Sequence, residues 1–426
     1  MRFLFDLFYL LAGVALSPWL LWRGVRTGRY RQHLAAKLFG RVDVPPTSAS
    51  TVWFHGVSVG EIHLLVTLVA AFRKRHPDWR VVVSSTTDTG LAEARAKFPD
   101  LVVIAYPFDF SWACGEALVR VKPAVVVLAE SELWPNFLAA AGERTIPVVV
   151  ANARISPRTF TRMMRVKSLL KRVLFRHVTA FAVQTEEYAG RLRQLGVGES
   201  RVVVTGSVKY DGATGERDTP KGRELQRLVS REPTASEIVL VAGSTHAPEE
   251  AILLGVFAKL RATFPQLRLI LVPRHPDRFT EVAELLQKSG LPFARRSQLT
   301  EPTDAPVVLL DTVGELGAAW GLADLGYTGG SLDGKRGGQS MIEPAGYGVP
   351  VVFGPHVWNF RDAARMLVAA GGAIMVKSAE ELEAGLAGLI GDPARRRQMG
   401  ETARRLVNEQ QGATERTVGV IAEVVD

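Results

Sequence analysis

The segment Trp53-Phe54-His55-Gly56-Val57-Ser58-Val59-Gly60-Glu61 places a carboxylate where an apolar strand breaks into a glycine-containing turn and a helix begins. Residues 51–55 show no polar alternation, as a parallel strand buried on both faces requires, and Ile62-His63-Leu64-Leu65 opens an apolar helix directly afterwards. In such strand-loop-helix units chemistry sits beyond the carboxyl end of the strand, which makes Glu61 a candidate catalytic base. A first-turn glutamate also complements the helix dipole, and spacing alone leaves both readings open.

Several loops in the second half carry phosphate-type chemistry. Gly243-Ser244-Thr245-His246 follows a strand and precedes a helix starting near Glu249, so the hydroxyls of Ser244 and Thr245 and the adjacent N–H groups suit an anion. Pro273-Arg274-His275-Pro276 follows the next strand, and the planar fork of Arg274 matches phosphate oxygens. Gly314-Glu315-Leu316 follows a third strand and opens a helix. Gly329-Gly330-Ser331-Leu332 and Gly337-Gly338-Gln339-Ser340-Met341-Ile342-Glu343-Pro344 add glycine turns through which backbone amides approach a phosphate, with Glu343 placed to accept from ribose hydroxyls. Each loop alone is weak; together, at strand ends of one domain, they point to a nucleotide site. The sequence has no P-loop, zinc spacing or aspartate-rich metal site, so fixed cations and amides are expected to meet the phosphate charge, with no metal or other cofactor.

These residues need scaffolds, and the apolar runs supply them. Residues 51–55, 81–85, 102–104, 124–128, 147–150, 180–183 and 202–204 are short hydrophobic runs, most of them separated by helix-length segments. The rhythm stops at a polar stretch, 211–237, read as a linker with one short helix, and resumes at 238–242, 269–272, 307–310, 325–327 and 351–353. The predicted fold class is α/β: two doubly wound Rossmann-like domains facing a cleft, preceded by an N-terminal membrane-anchor helix. The expected boundaries are 1–31 for the anchor and its basic flank, 32–215 for the first domain and 216–426 for the second, which ends in C-terminal helices.

A length of 426 residues and 47 % hydrophobic content fit two ordinary cores. The single cysteine, Cys114, excludes an intrachain disulfide and a Cys-cluster metal site. A net charge of +9 implies an anionic partner. Nucleic acid is the poorest candidate, because the positive charge is not interleaved with a stacking surface. From Leu7 to Trp22 the chain approaches the roughly 20 apolar residues that span a bilayer, and Arg23, Arg26, Arg29 and Arg31 follow. This segment is expected to anchor the chain at an inner membrane, spanning it or lying in its interface, with the catalytic domains in the cytoplasm. Residues 158–176 read as one basic helix interleaved with apolar residues. It suits either an anionic membrane surface or a core-facing helix with a charged outer side.

Taken in order, the motif around Glu61, Ser85-Thr86-Thr87-Asp88-Thr89-Gly90, Glu130-Ser131-Glu132-Leu133-Trp134-Pro135-Asn136, Asn152-Ala153-Arg154-Ile155-Ser156, Thr205-Gly206-Ser207-Val208-Lys209-Tyr210-Asp211 and the loops above resemble the 3-deoxy-D-manno-octulosonic acid (Kdo) transferases of lipopolysaccharide synthesis over nearly the whole chain. The resemblance implies a GT-B glycosyltransferase that moves Kdo from CMP-Kdo to a phosphorylated lipid A precursor with inversion at the anomeric carbon. It implies Glu61 as general base and Glu130 and Lys209 as supports of the transition state. Pro273, Arg274, Gly314, Glu315, Leu316, Ser340, Met341, Ile342 and Glu343 match the CMP-binding segments. The chain departs from the family at Gly337–Glu343, where many relatives read Gly-Gly-His-Asn-Pro-Leu-Glu, and at Gly56, where alanine is commoner and the change is taken as neutral. Two other classes fit parts of the pattern. Another GT-B enzyme, such as a UDP-sugar epimerase or a lipid-linked hexosaminyl transferase, would bind UDP. A non-enzymatic nucleotide-binding membrane adaptor would leave Glu61 without a purpose.

Overall fold

The computed structural model describes residues 2–27, 33–213, 215–229 and 237–425. They divide into two compact units, Met1–Asp211 with Gln411–Asp426, and Gly212–Gln410.

The first unit is built on seven parallel strands: β1 (Thr51–His55), β2 (Arg80–Ser85), β3 (Val102–Ala105), β4 (Val125–Ala129), β5 (Val148–Ala153), β6 (Ala180–Val183) and β7 (Val202–Val204). Their order is β3-β2-β1-β4-β5-β6-β7. In β1 every residue is buried: Trp53 enters the core on one face of the sheet, Val52 and Phe54 the core on the other. This two-sided burial explains the lack of polar alternation. Strand order reverses between β1 and β4, so a crevice opens beyond their carboxyl ends, where ligands bind in doubly wound folds. Glu61 follows β1 and Glu130 follows β4.

The second unit repeats the plan with β8 (Ile238–Thr245), β9 (Leu267–Pro273), β10 (Phe293–Arg295), β11 (Val307–Leu309), β12 (Leu325–Thr328), β13 (Val351–Phe353) and β14 (Ala373–Met375). All pairings are parallel and the order is β10-β11-β9-β8-β12-β13-β14. The reversal lies between β8 and β12, placing the loops after Thr245 and Thr328 at the equivalent crevice. β10 and β14, absent from the sequence reading, are three-residue edge strands.

Three expectations are corrected. The N-terminal segment is a helix, Arg2–Thr27, but no described helix is long and apolar enough to cross a membrane. Asp6 interrupts its apolar stretch and is turned into the protein, 5 % exposed. Arg29 and Arg31 of the expected basic flank lie outside the described residues. The second unit does not run to the C-terminus: the helix Ala413–Val425 places Val418, Val420 and Ile421 in the first unit's core. Asp211 fixes its start by accepting from the N–H groups of Gly412 (2.7 Å) and Thr414 (2.5 Å). Residues 158–176 form two helices, Pro157–Met164 and Lys167–Val173, and a 3₁₀ turn instead of one helix. Phe160, Met163 and Leu170 pack on the core, while Met164, Val166 and Leu169 stay exposed beside the cations.

Candidate active site

The helix Val59–Arg75 begins with a reciprocal cap. Ser58 is its N-cap, and the Glu61 N–H donates to Ser58 Oγ at 3.4 Å while the Ser58 hydroxyl donates to Glu61 Oε1 at 3.0 Å. The Val57 N–H donates to Glu61 Oε2 at 2.8 Å. The helix-start reading of Glu61 is thus realised in the geometry, and the same bonds aim its carboxylate back over the end of β1. Burial pushes its pKa up to about 7 despite these donors, and the charges of Glu132 and Glu130 add to the rise. His55, in the same motif, is no rival as a base. It is fully buried against Tyr106, bonded to Ser84 through Nδ1, and burial pushes it down to about 3. At Gly56 a Cβ would lie 3.1 Å from Glu61 Cβ and 3.3 Å from Leu65 Cδ1, so an alanine there would need the first turn that carries Glu61 to give by a few tenths of an ångström.

The other two residues implied by the family are brought together. Glu130, at the end of β4, has its carboxylate 3.3 Å from Lys209 Nζ and 2.8 and 2.7 Å from Arg154 Nε and Nη2. The sequence assigns Arg154 no role; its fork fixes the orientation of Glu130, which a single ammonium does not. Lys209 lies in a 3₁₀ turn whose Val208 N–H donates to Asn152 Oδ1 at 3.1 Å. Glu130 and Asn152 both adopt left-handed backbone, φ 57° and 56°. Such conformations persist at a cost of about 1–3 kcal/mol only where the surroundings hold them. Glu132, also unassigned from sequence, has its pKa raised by burial and by Glu130. Three carboxylates and two cations therefore gather beyond the reversal point of the first sheet.

In the second unit the loops after β8, β9 and β12 converge, though not all of them face a ligand. Ser244 has φ 54°, and Thr245 is fully buried with a hydroxyl that finds no partner among the described residues. Pro273 ends β9, and the Arg274 N–H donates to the Thr245 carbonyl at 3.0 Å, leaving its guanidinium exposed. Glu343 is open to solvent, yet the protein crowded around it raises its pKa, opposed by the nearby charge of Arg274. Met341 and Ile342 are core residues, so at these positions only the backbone is available to a ligand. Gly337 and Gly338 are required for a different reason than anion access. Both have positive φ, 83° and 76°, and a Cβ at Gly337 would fall 2.3 Å from Trp358 Nε1. Gly314 has φ 84°; Glu315 is engaged by Arg296 at 2.9 Å and by the Thr312 hydroxyl, and Leu316 packs near Gly243.

A further residue that sequence reasoning missed is Glu249. It is wholly buried, and its carboxylate accepts from the N–H groups of Gly330 (2.7 Å), Ser331 (2.9 Å), Leu332 (3.1 Å) and His246 (3.1 Å) and from Tyr327 Oη (2.8 Å). The Gly329–Leu332 turn is an anion nest already filled by the protein's own carboxylate. From sequence, an acid at the start of a helix reads as a dipole partner, and nothing marks its reach to β12.

Two doubly wound units, each with a strand-order reversal and loops gathered beyond it, form a GT-B-like α/β fold. The fold is similar to UDP-GlcNAc 2-epimerase from Neisseria meningitidis (TM-score 0.57, 14 % identity, 88 % of this chain and 99 % of that one) and to Acinetobacter baumannii MurG (TM-score 0.55, 15 % identity, 88 % and 99 %). Residues 26–212 match the family model for 3-deoxy-D-manno-octulosonic-acid transferase (kdotransferase). The chain is 35 % identical over 428 residues to the 3-deoxy-D-manno-octulosonic acid transferase of Bordetella pertussis, covering 97 % of each. It is 33 % identical over 402 residues to that of Haemophilus influenzae, covering 93 % of this chain and 92 % of the relative. The chain belongs to the 3-deoxy-D-manno-octulosonic acid transferase family.

Proposed function

We propose that this enzyme transfers Kdo from CMP-Kdo to a phosphorylated lipid A precursor in lipopolysaccharide synthesis. The observation that carries the mechanism is Glu61, a carboxylate held by Val57 and Ser58 with its pKa near 7. A base whose pKa lies close to the working pH is matched to removing a proton from an acceptor hydroxyl. The resulting oxygen attacks the anomeric carbon of Kdo, the bond to CMP breaks, and the configuration inverts from β to α without a covalent enzyme intermediate. Glu61 then returns its proton to solvent. Lys209 and Arg154 hold Glu130 and set the local charge around the reacting groups. Arg274 and the backbone amides of Ser340–Glu343 receive the departing phosphate, and Glu343 the ribose hydroxyls.

The acceptor is a membrane lipid, and the first unit offers lipid a surface. Phe3, Leu4, Leu7, Phe8, Leu11 and Val14 are exposed along the N-terminal helix, and the basic segment 158–176 would meet anionic headgroups. This supports a location on the cytoplasmic face of the inner membrane. Mass spectrometry of lipid A precursor incubated with enzyme and freshly generated CMP-Kdo tests the activity. A product heavier by one or more Kdo units is expected; unchanged acceptor, or turnover with a UDP-sugar instead, would reject the assignment.

A further inference from the structure

The N-terminal helix is bonded to the first turns of the helices Ser111–Val121 and Pro135–Glu143 by a buried polar cluster that a membrane contact alone does not require. Asp6 accepts from the Ser111 N–H at 2.8 Å, the Ser111 hydroxyl at 2.5 Å and Asn136 Nδ2 at 3.0 Å. Asp109, 7 % exposed, accepts from the N–H groups of Asn136 (3.1 Å) and Phe137 (2.8 Å) and from Tyr9 Oη (3.0 Å). Asn136 is wholly buried and spends its second amide hydrogen on the Asp109 carbonyl at 2.7 Å.

The two aspartates share one task. The helices Ser111–Val121 and Pro135–Glu143 have Phe110 and Trp134 at their N-caps, and neither side chain caps its own helix. The free N–H groups there must find acceptors elsewhere. Asp6 serves the first helix and Asp109 the second, and Asn136 ties the two carboxylates together. The helix Pro135–Glu143 starts where the loop bearing Glu130 and Glu132 ends, so whatever fixes its first turn fixes the end of that loop. A buried carboxylate is tolerated only when its hydrogen bonds are met, and Asp6 meets them entirely on this side of the molecule.

We propose that Asp6 is a positioning residue for sugar transfer: through Ser111 and Asn136 it locks the N-terminal helix to the loop that carries Glu130 and Glu132. The N-terminal helix is then part of the catalytic apparatus as well as a lipid contact. This rests on the transferase reading above, and the test separates the two.

The full chain and its Asp6→Ala variant are assayed on acceptor dispersed in nonionic detergent, where attachment to a bilayer no longer limits encounter. Because small displacements of catalytic groups cost up to about 100-fold, kcat is expected to fall about 10- to 100-fold. Acceptor KM and the CMP dissociation constant should stay near wild type. Asp6→Asn, which keeps an acceptor for Ser111, should recover part of the loss. Wild-type kcat in Asp6→Ala overturns the proposal, as does a loss confined to KM or to vesicle-bound acceptor. If Asp6→Ala fails to fold, Tyr9→Phe decides. The expected result is lowered kcat together with faster amide exchange at Leu133, Trp134, Asn136 and Phe137, and unchanged values of both overturn the proposal. No product from wild type would instead reject the transferase reading.

Discussion

Ser58 and Glu61 cap one another: the Glu61 N–H reaches Ser58 Oγ at 3.4 Å, and the Ser58 hydroxyl returns to Glu61 Oε1 at 3.0 Å. A motif that ordinarily serves only to start a helix here also holds the carboxylate of Glu61 at the end of a strand.

Replacing Glu61 by glutamine keeps the size of the side chain and an acceptor for the Val57 N–H, but it cannot take a proton. Turnover is expected to fall about 10²–10⁴-fold with folding and CMP binding preserved. Steady-state kinetics with both substrates saturating, together with calorimetry of CMP, check this.

The pH dependence follows from the same residue. Glu61 acts only when ionised, so kcat/KM should fall as pH drops below about 7, the value to which burial raises it. Stability runs the other way. The folded pKa lies above the ordinary glutamate value of 4.5, so the contribution is fully present below about pH 4.5 and is lost as pH rises through 7. Glu61→Gln should therefore melt higher than wild type at pH 8, by about 1–3 kcal/mol in stability, with the difference vanishing near pH 4.5. Thermal melts of both proteins across this range supply the measurement.

Arg154→Lys keeps the charge beside Glu130 and loses the fork. Since lysine does not reproduce a two-point hold, a fall in kcat of about tenfold is expected with little change in stability. A double-mutant cycle with Lys209→Met should be non-additive by about 0.5–3 kcal/mol, because both cations share Glu130.

Glu249→Gln presents an NH₂ group to a ring of N–H donors. Losing charge-assisted bonds in a buried nest costs about 1–3 kcal/mol of stability. The Gly329–Leu332 turn should loosen and CMP affinity fall about tenfold, read by calorimetry and by amide exchange at Gly330, Ser331 and Leu332.

Arg274→Ala removes an exposed cation without making a core cavity, so stability should move by no more than about 0.5 kcal/mol. CMP affinity should fall by about tenfold or more, since a charge-assisted contact to phosphate is worth about 1.5–3 kcal/mol. Calorimetry on the folded variant is the check, and unchanged affinity would remove Arg274 from the phosphate site.

Much of the architecture is legible because buried parallel strands leave a strong signal. Each run of the first sheet, from Thr51 to Val204, falls on an observed strand. β10 (Phe-Ala-Arg) and β14 (Ala-Ile-Met) escape notice where β7, equally short and also at an edge, does not, because neither carries an unbroken β-branched run like Val202-Val203-Val204. In the site, Glu61 is readable from its strand-turn-helix setting, whereas Glu130 and Lys209 depend on family likeness. Their pairing arises between elements 79 residues apart, a separation no local pattern reports. Asp6 and Glu249 are opaque for the same reason. Each looks like a blemish in an apolar helix or an ordinary helix-start acid until the fold brings distant N–H groups to it.

The return of the last helix to the first unit has a consequence for biosynthesis. The chain leaves that unit at Asp211 and comes back at Gln411. The surface that will receive Val418, Val420 and Ile421 therefore stays uncovered while the whole second unit is translated. At about 5–20 residues per second, the 199 intervening residues impose a wait of roughly 10–40 s. During that interval the nascent first sheet exposes an apolar face to the ribosome surface and to chaperones. A stop codon just before Gln411 would leave that exposure permanent, so a chain short by only its last 16 residues is expected to fail in its first unit rather than its second.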